Sequence, residues 1–193
     1  MARAAPHEIG AARLPDGSRV TVRPACPGDA GHIQAYVRGL SPSSRYDRFL
    51  APMNELSPAE LARIGVSGET QGTLIAETKV GGVRIMIGEA RYAASNGATF
   101  EIALSVADAW RGRGLGTLLM DQLECRARNL AVTTLVGDVL RSNAAMRTLA
   151  RRSGFDTGVP ADARLVRIVK DISAARIGTP CGQLATSGLR IAA

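Results

Sequence analysis

Apolar residues recur along this chain with two different periods, and the change from one to the other marks out strands and helices. Strict alternation over Thr99–Val106 sets Phe100, Ile102, Leu104 and Val106 on one face and Glu101, Ala103 and Ser105 on the other, as in a half-buried strand. Shorter extended segments are expected at Ser18–Arg23, which Pro24 ends, and at Thr73–Val80 and Val83–Tyr92, joined as a hairpin by Gly81-Gly82. Val132–Val136 reads as a central apolar strand and Leu165–Val169 as the last one. Helical spacing places Ile33, Tyr36, Val37 and Leu40 behind a capping Asp29, and Tyr46, Phe49 and Leu50 behind Ser41-Pro42. Ser57-Pro58-Ala59-Glu60 is a capping box that opens a short helix through Ile64. Leu115, Leu118, Leu119 and Leu123 form one stripe of a longer helix, with Arg113, Asp121, Arg126 and Arg128 outside it. A final helix, capped by Ser142 or Asn143, carries Met146, Leu149 and Ala150 inward and ends at Gly154.

Between the alternating strand and the leucine stripe stands Arg111-Gly112-Arg113-Gly114-Leu115-Gly116-Thr117. A strand that runs through glycines into a helix aims unpaired backbone N–H groups, and the positive end of the helix dipole, at one point suited to phosphate. A P-loop is excluded, because the only lysines, Lys79 and Lys170, are followed by Val80 and Asp171. The dinucleotide fingerprint fits less well, since Thr117 or Leu119 occupies its third glycine position; Asp138, at the end of the next strand, keeps that alternative open as a ribose-binding acid.

At 193 residues the chain has the size of one domain, and its core is built from aliphatic side chains, with 46% hydrophobic but only 4% aromatic residues. No apolar run is long enough for a membrane span, and the N-terminus lacks a signal-peptide core. Cys26, Cys125 and Cys181 are odd in number and widely spaced, so neither a disulfide framework nor a CxxC metal site is expected; with His7 and His32 as the only histidines, no metal is expected either. Cytoplasmic residence is the simplest reading. The net charge of +7 raises nucleic acid as a partner, yet residues 111–155 hold a local excess of +5 while residues 21–110 carry −1. Excess charge on and after the phosphate loop suits a compact polyanionic cofactor, and neither nucleic acid nor membrane is expected as a partner.

This order of elements, with Arg-x-x-Gly-x-Gly opening the central helix, resembles the GNAT superfamily of acyl-CoA-dependent N-acetyltransferases over about residues 14–171. The likeness is carried by Glu101–Val106, by Trp110–Thr117 and by Asn143–Phe155. Val22-Arg-Pro24, Gly28-Asp29 and Leu40-Ser-Pro-Ser-Ser-Arg-Tyr-Asp-Arg-Phe49 resemble the catalytic domain of bacterial protein-lysine acetyltransferases. The resemblance implies a single α/β (α+β) domain with a mixed, mostly antiparallel central sheet of about six to seven strands flanked by helices. Residues 1–13 are then a loose leader, 14–171 the acyltransferase domain, and 172–193 a tail, poor in acidic residues, that is expected to be disordered.

It also implies acetyl-CoA as acyl donor, held by the backbone of Leu104, Ser105 and Val106 along its pantetheine arm. The pyrophosphate would lie on the amides of Arg111, Gly112, Arg113, Gly114, Leu115, Gly116 and Thr117, with Asn143 near the thioester. A lysine amine with pKa near 10.4 is neutral in only about one part in a few thousand at pH 7, so a general base is required, and such a base contributes about 10²–10⁴-fold. Glu101 stands on the small-residue face beside Ala103 and Ser105, and the matching position of the protein-lysine branch carries a glutamate base; Glu89 is the reserve. The superfamily's usual tyrosine acid, five residues before Phe155, is replaced by Ala150, and Tyr36, Tyr46 and Tyr92 have no assignable place in the site. A protein lysine is the preferred acceptor and a small-molecule amine the second, in a monomer or homodimer. A non-catalytic acyl-CoA-binding or sensing module, favoured by Ala150, is the alternative class.

Overall fold

A computed structural model describes residues 10–65, 67–160 and 162–174. Within it the strands are β1 (Gly10–Arg13), β2 (Arg19–Pro24), β3 (Gln71–Val80), β4 (Val83–Ala94), β5 (Thr99–Val106), β6 (Thr134–Leu140), β7 (Asp156–Gly158) and β8 (Leu165–Asp171). The helices are α1 (Ala30–Gly39), α2 (Pro42–Phe49), α3 (Pro58–Ile64), α4 (Leu115–Asn129) and α5 (Ala144–Arg152). The strands form one sheet in the order β1-β2-β3-β4-β5-β6-β8-β7. Every neighbouring pair is antiparallel except β5 with β6. The mixed sheet expected from the resemblance is present, with eight strands rather than six or seven. The two additional strands, β1 and β7, span only four and three residues, too few for alternation to declare them. β1 pairs with β2 along its whole length, so the sheet begins ahead of the boundary drawn at residue 14. The segment read as a tail lies outside the described residues from residue 175 onward.

Period-two alternation feeds two cores, one on each face of the sheet. On β3, Leu74 and Ala76 join the core under α4, while Ile75 between them joins the core under α1 and α3. The α4 side is the larger: Leu115, Leu119, Met120 and Leu123 meet Ile87, Ala90, Phe100 and Ile102. Gly88 on β4 marks the closest approach, since a Cβ there would lie 3.0 Å from Leu119 Cδ1. The β3–β4 turn uses Gly81 and Gly82 at φ +57° and +83°, the left-handed conformations that a two-residue hairpin demands. Ser57 and Glu60 form the expected capping box on α3. Asp29 differs from its expected role as a helix cap. Its two oxygens take both terminal nitrogens of Arg23, each at 2.7 Å, and the Cys26 N–H, because a bidentate pair with a guanidinium outweighs a single bond to a helix N–H. No helix among the described residues is long and apolar enough to cross a membrane.

Leu119 has no solvent exposure, so Leu119→Ala is expected to lower the unfolding free energy by about 3 kcal/mol with an unchanged denaturant slope. Urea unfolding followed by circular dichroism checks this, and a loss below about 1 kcal/mol would contradict the central place of that side chain.

Candidate active site

Strands β5 and β6 are paired at only three positions, Thr99↔Thr134, Phe100↔Leu135 and Glu101↔Val136. Beyond them β5 stays with β4 as far as Val106, while β6 stays with β8 as far as Leu140. The two strands therefore part, and the facing edge of β5 loses its backbone partner. Gly137 sits where they diverge: a Cβ there would come 3.1 Å from the Ile102 carbonyl oxygen, so a larger residue would force the strands apart sooner. Beside the freed end of β5 lies a cavity of about 340 Å³, lined by that strand end, the glycine loop, α2 and α5.

The loop is shaped by its glycines. A 3-10 turn at Asp108–Trp110 ends β5, and Gly112 and Gly114 then take φ +72° and +87°, which side-chain-bearing residues rarely adopt. Gly114 precedes α4 directly, so the N–H groups of Leu115, Gly116 and Thr117 have no carbonyl one turn behind them within the helix. Gly114, Gly116 and Thr117 line the cavity, which brings the positive helix end to it. At Gly116 the absent side chain admits Leu149 of α5: a Cβ would lie 3.1 Å from Leu149 Cδ2.

Of the residues singled out by the sequence, Leu104, Ser105, Val106, Arg111, Gly112, Gly114, Gly116, Thr117 and Asn143 all line this one cavity. Arg113 and Leu115 do not. The Arg113 guanidinium lies over the Trp110 ring at 4.8 Å and pairs with Asp16, and the Leu115 side chain is buried in the core, so both can offer only backbone. The Arg111 N–H already donates to the Asp108 carbonyl. Asn143 caps α5, its Oδ1 accepting the Met146 N–H at 2.9 Å, which leaves its NH₂ for a ligand. Glu101 is exposed and is not among the residues lining the cavity, and its carboxylate makes no hydrogen bond or ion pair with any described residue.

Glu89, the reserve base, is instead a buried anchor. Only 1% of its side chain is exposed; Oε1 takes Arg48 Nε at 2.6 Å and the Ser105 hydroxyl at 3.2 Å, and Oε2 takes Arg91 Nε at 2.6 Å. Burial alone would push its carboxyl upward, but the Arg48 and Arg91 guanidiniums win and hold it down at about 2. It is an ion triad in the interior rather than a surface ion pair, and a poor proton acceptor. Tyr36 of α1 completes the group: its hydroxyl lies 2.9 Å from Ser105 Oγ, and because Ser105 donates to Glu89, the tyrosine donates to Ser105. Burial, with Glu89 nearby, raises the Tyr36 phenol, so it stays protonated. Tyr46 is partly exposed, and Tyr92 is stacked on Phe100 with its hydroxyl on the Gly68 carbonyl. Ala150 is buried in the core.

Sequence reasoning missed the contribution of α2. Asp108 receives the Ser41 N–H at 2.9 Å and the Ser44 hydroxyl at 2.5 Å, and Ser44 Oγ in turn accepts Arg111 Nη2 at 2.7 Å. This clasp fastens the start of α2 to the loop and sets Asp47 and Arg48 on the cavity wall. Burial raises the Asp47 carboxyl against the pull of Arg111. The Leu40–Phe49 run was visible as a motif, but nothing in it announced partners 41 and 64 residues away. The dinucleotide alternative is overturned by the topology, because that site requires a parallel sheet and this one is antiparallel on all but one seam. Asp138, its ribose-binding candidate, is ion-paired with Arg167 at 2.6 Å.

The triad fixes a pH signature. A carboxyl lowered from 4.5 to about 2 by folding stabilises the fold fully above its unfolded value, and that stabilisation is lost as pH falls through the interval between the two. Melting temperature is therefore expected to drop more steeply for the native chain than for Glu89→Gln on acidification from about pH 5 to about pH 2. At neutral pH, Glu89→Gln should cost about 3–5 kcal/mol, because two guanidiniums lose their counter-charge. Parallel melting curves for the two proteins would contradict the ion triad.

With this geometry in hand, comparison with known proteins is specific. The model of the acetyltransferase (GNAT) family matches residues 40–155. An acetyltransferase of Pseudomonas aeruginosa is 31% identical over 144 residues, which cover 74% of this chain and 77% of that protein. The GNAT domain of the S. lividans protein PAT superposes with a TM-score of 0.79 at 26% identity, covering 88% of this chain and all of that domain. The yncA protein of Salmonella typhimurium, whose structure holds its cofactor acetyl-CoA, shares the fold at a TM-score of 0.60 and 19% identity, over 82% of this chain and 98% of that one. The splayed β5–β6 seam, the glycine loop before α4 and the match over residues 40–155 agree: the chain belongs to the GNAT family of acetyltransferases.

Proposed function

We propose that this acetyltransferase moves an acetyl group from acetyl-CoA to a primary amine, with a protein lysine as the preferred acceptor and a small-molecule amine as the second. The observation that carries the donor is the meeting, at one cavity, of the unpaired edge of β5, the N–H groups that open α4 and the capped start of α5. The backbone of Leu104–Val106 takes the pantetheine arm as an added strand would. Gly112 through Thr117 hold the pyrophosphate, chiefly with backbone N–H groups, and the Asn143 NH₂ reaches toward the thioester. The lysine branch is supported by the Leu40–Phe49 run, whose serines clasp the loop through Asp108.

Glu101 removes the proton from the incoming ammonium. Its carboxylate is exposed and unpartnered among the described residues, which suits a base that works through water. The neutral amine attacks the thioester carbon, the C–S bond breaks, CoA leaves as thiolate, and the second proton of the amine nitrogen passes to that thiolate or to water. A thiol of pKa near 8.5 leaves tolerably without an acid, in keeping with Ala150 and with a Tyr36 phenol that binds its proton tightly.

Glu101→Gln is expected to lower kcat about 10²–10⁴-fold while acetyl-CoA affinity stays unchanged, measured by CoA release with lysine peptides and a panel of small amines. Unchanged turnover across a pH series would remove Glu101 as base. Acetyl-CoA binding with no turnover on any amine would instead favour the non-catalytic reading that Ala150 supports.

A further inference from the structure

The cavity wall contributed by α2 holds a guanidinium that the family likeness does not assign. The Arg48 side chain is 8% exposed and lines the cavity together with Ser105. Only its Nε is committed, to Glu89; neither terminal nitrogen has an acceptor among the described residues, and the guanidinium carbon lies 5.1 Å from the centre of the Phe49 ring. Beside it, Arg91 Nη2 is buried without a partner. Two guanidiniums thus share the one carboxylate in direct contact with them, with Glu60 adding only a longer-range attraction to Arg91, so positive charge gathers beside the cavity. Charge of that kind is costly to bury, and a planar fork of free N–H donors is suited to an oxygen carrying negative charge.

Resting on the acetyl-transfer reading above, we infer that Arg48 is a catalytic residue whose free N–H groups bind the thioester carbonyl oxygen and stabilise the oxyanion formed on it. When the amine nitrogen bonds to the carbonyl carbon, the C=O π pair moves onto oxygen. When that pair re-forms the carbonyl, the C–S bond breaks and its electrons leave with CoA sulfur. The substrate oxygen gains charge only between these two events, so a preorganised cation there lowers the barrier more than it tightens binding. Position agrees with this role: Glu89 Oε1 bridges Arg48 and the Ser105 hydroxyl, and Arg48 shares the cavity with the β5 segment proposed to hold the end of the pantetheine arm. Glu89 then acts as a positioning residue that aims Arg48. Asp47, the other charged group that α2 turns to the cavity, is unpaired among the described residues, and burial raises its carboxyl against the pull of Arg111.

The test compares the native chain with Arg48→Gln and Arg48→Lys, the latter retaining the charge beside Glu89 should the former fail to fold. Acetyl-CoA labelled with ¹³C at the carbonyl reports the C=O stretch in the bound state. Arg48→Gln is expected to lower kcat about 10²–10³-fold, with little change in acetyl-CoA Kd and loss of a red shift of the bound carbonyl; Arg48→Lys should fall between. An unshifted carbonyl in the native complex, or kcat unaffected by both variants, overturns the assignment. So does a native preference for succinyl-CoA over acetyl-CoA that Arg48→Gln abolishes, because the fork would then be holding a ground-state carboxylate. A native chain that binds acetyl-CoA without acetylating any amine removes the transfer reading itself, a failure visible before any variant is made.

Discussion

The structure depends on a seam that closes for only three residue pairs. Parallel pairing of β5 with β6 at Thr99–Glu101 holds the two halves of the sheet together, and its end at Glu101↔Val136 opens everything that follows. Had the strands stayed paired, the edge of Leu104–Val106 would be satisfied by β6, and no cavity would lie between the glycine loop and α5. An unpaired strand edge inside a protein carries a cost in unmet backbone hydrogen bonds, and a ligand arm with amide groups of its own removes that cost. Gly137 keeps the last contact tight, and the strong pairing of β6 with β8 draws the second strand away.

Around the seam, the fold uses ionic contacts to bring distant segments to one place. Glu89 joins β4, β5 and α2 through Arg91, Ser105 and Arg48, and Asp108 joins the loop to the start of α2. Arg23 does the same away from the cavity, tying β2 to Glu77 of β3 and to Asp29. An arginine-rich chain with few aromatics is suited to such a design: planar forks supply direction where large rings are scarce. The excess of basic charge after residue 111 is accordingly divided. Arg113, Arg128 and Arg167 meet carboxylates, while Arg111 reaches the Ser44 hydroxyl on the cavity wall; ahead of that segment, the Arg48 fork is left partly open at the cavity.

What could be read from the sequence followed from short-range physics. The alternation of Thr99–Val106 predicted β5 to the residue, and the capping box and the Gly81-Gly82 turn announced α3 and the β3–β4 hairpin. The glycine loop was legible because left-handed backbone and bare N–H groups both demand glycine. Two kinds of feature were not. Strands of three or four residues, β1 and β7, have too short a pattern to stand out. Side-chain partnerships over long separations leave no periodic trace: Asp29 reads as a helix cap until Arg23 is seen beside it, and Glu89 reads as a reserve base until two guanidiniums close on it. Glu101 shows the converse, a residue the sequence marks strongly and the fold leaves open.

The central claim is that the parted seam is an acyl-CoA site. Calorimetric titration of the full chain with acetyl-CoA, against free CoA and NAD under the same conditions, tests it most directly. The account predicts micromolar binding of acetyl-CoA, with NAD silent. Absence of binding by either CoA species, or NAD binding as tightly as acetyl-CoA, would contradict it.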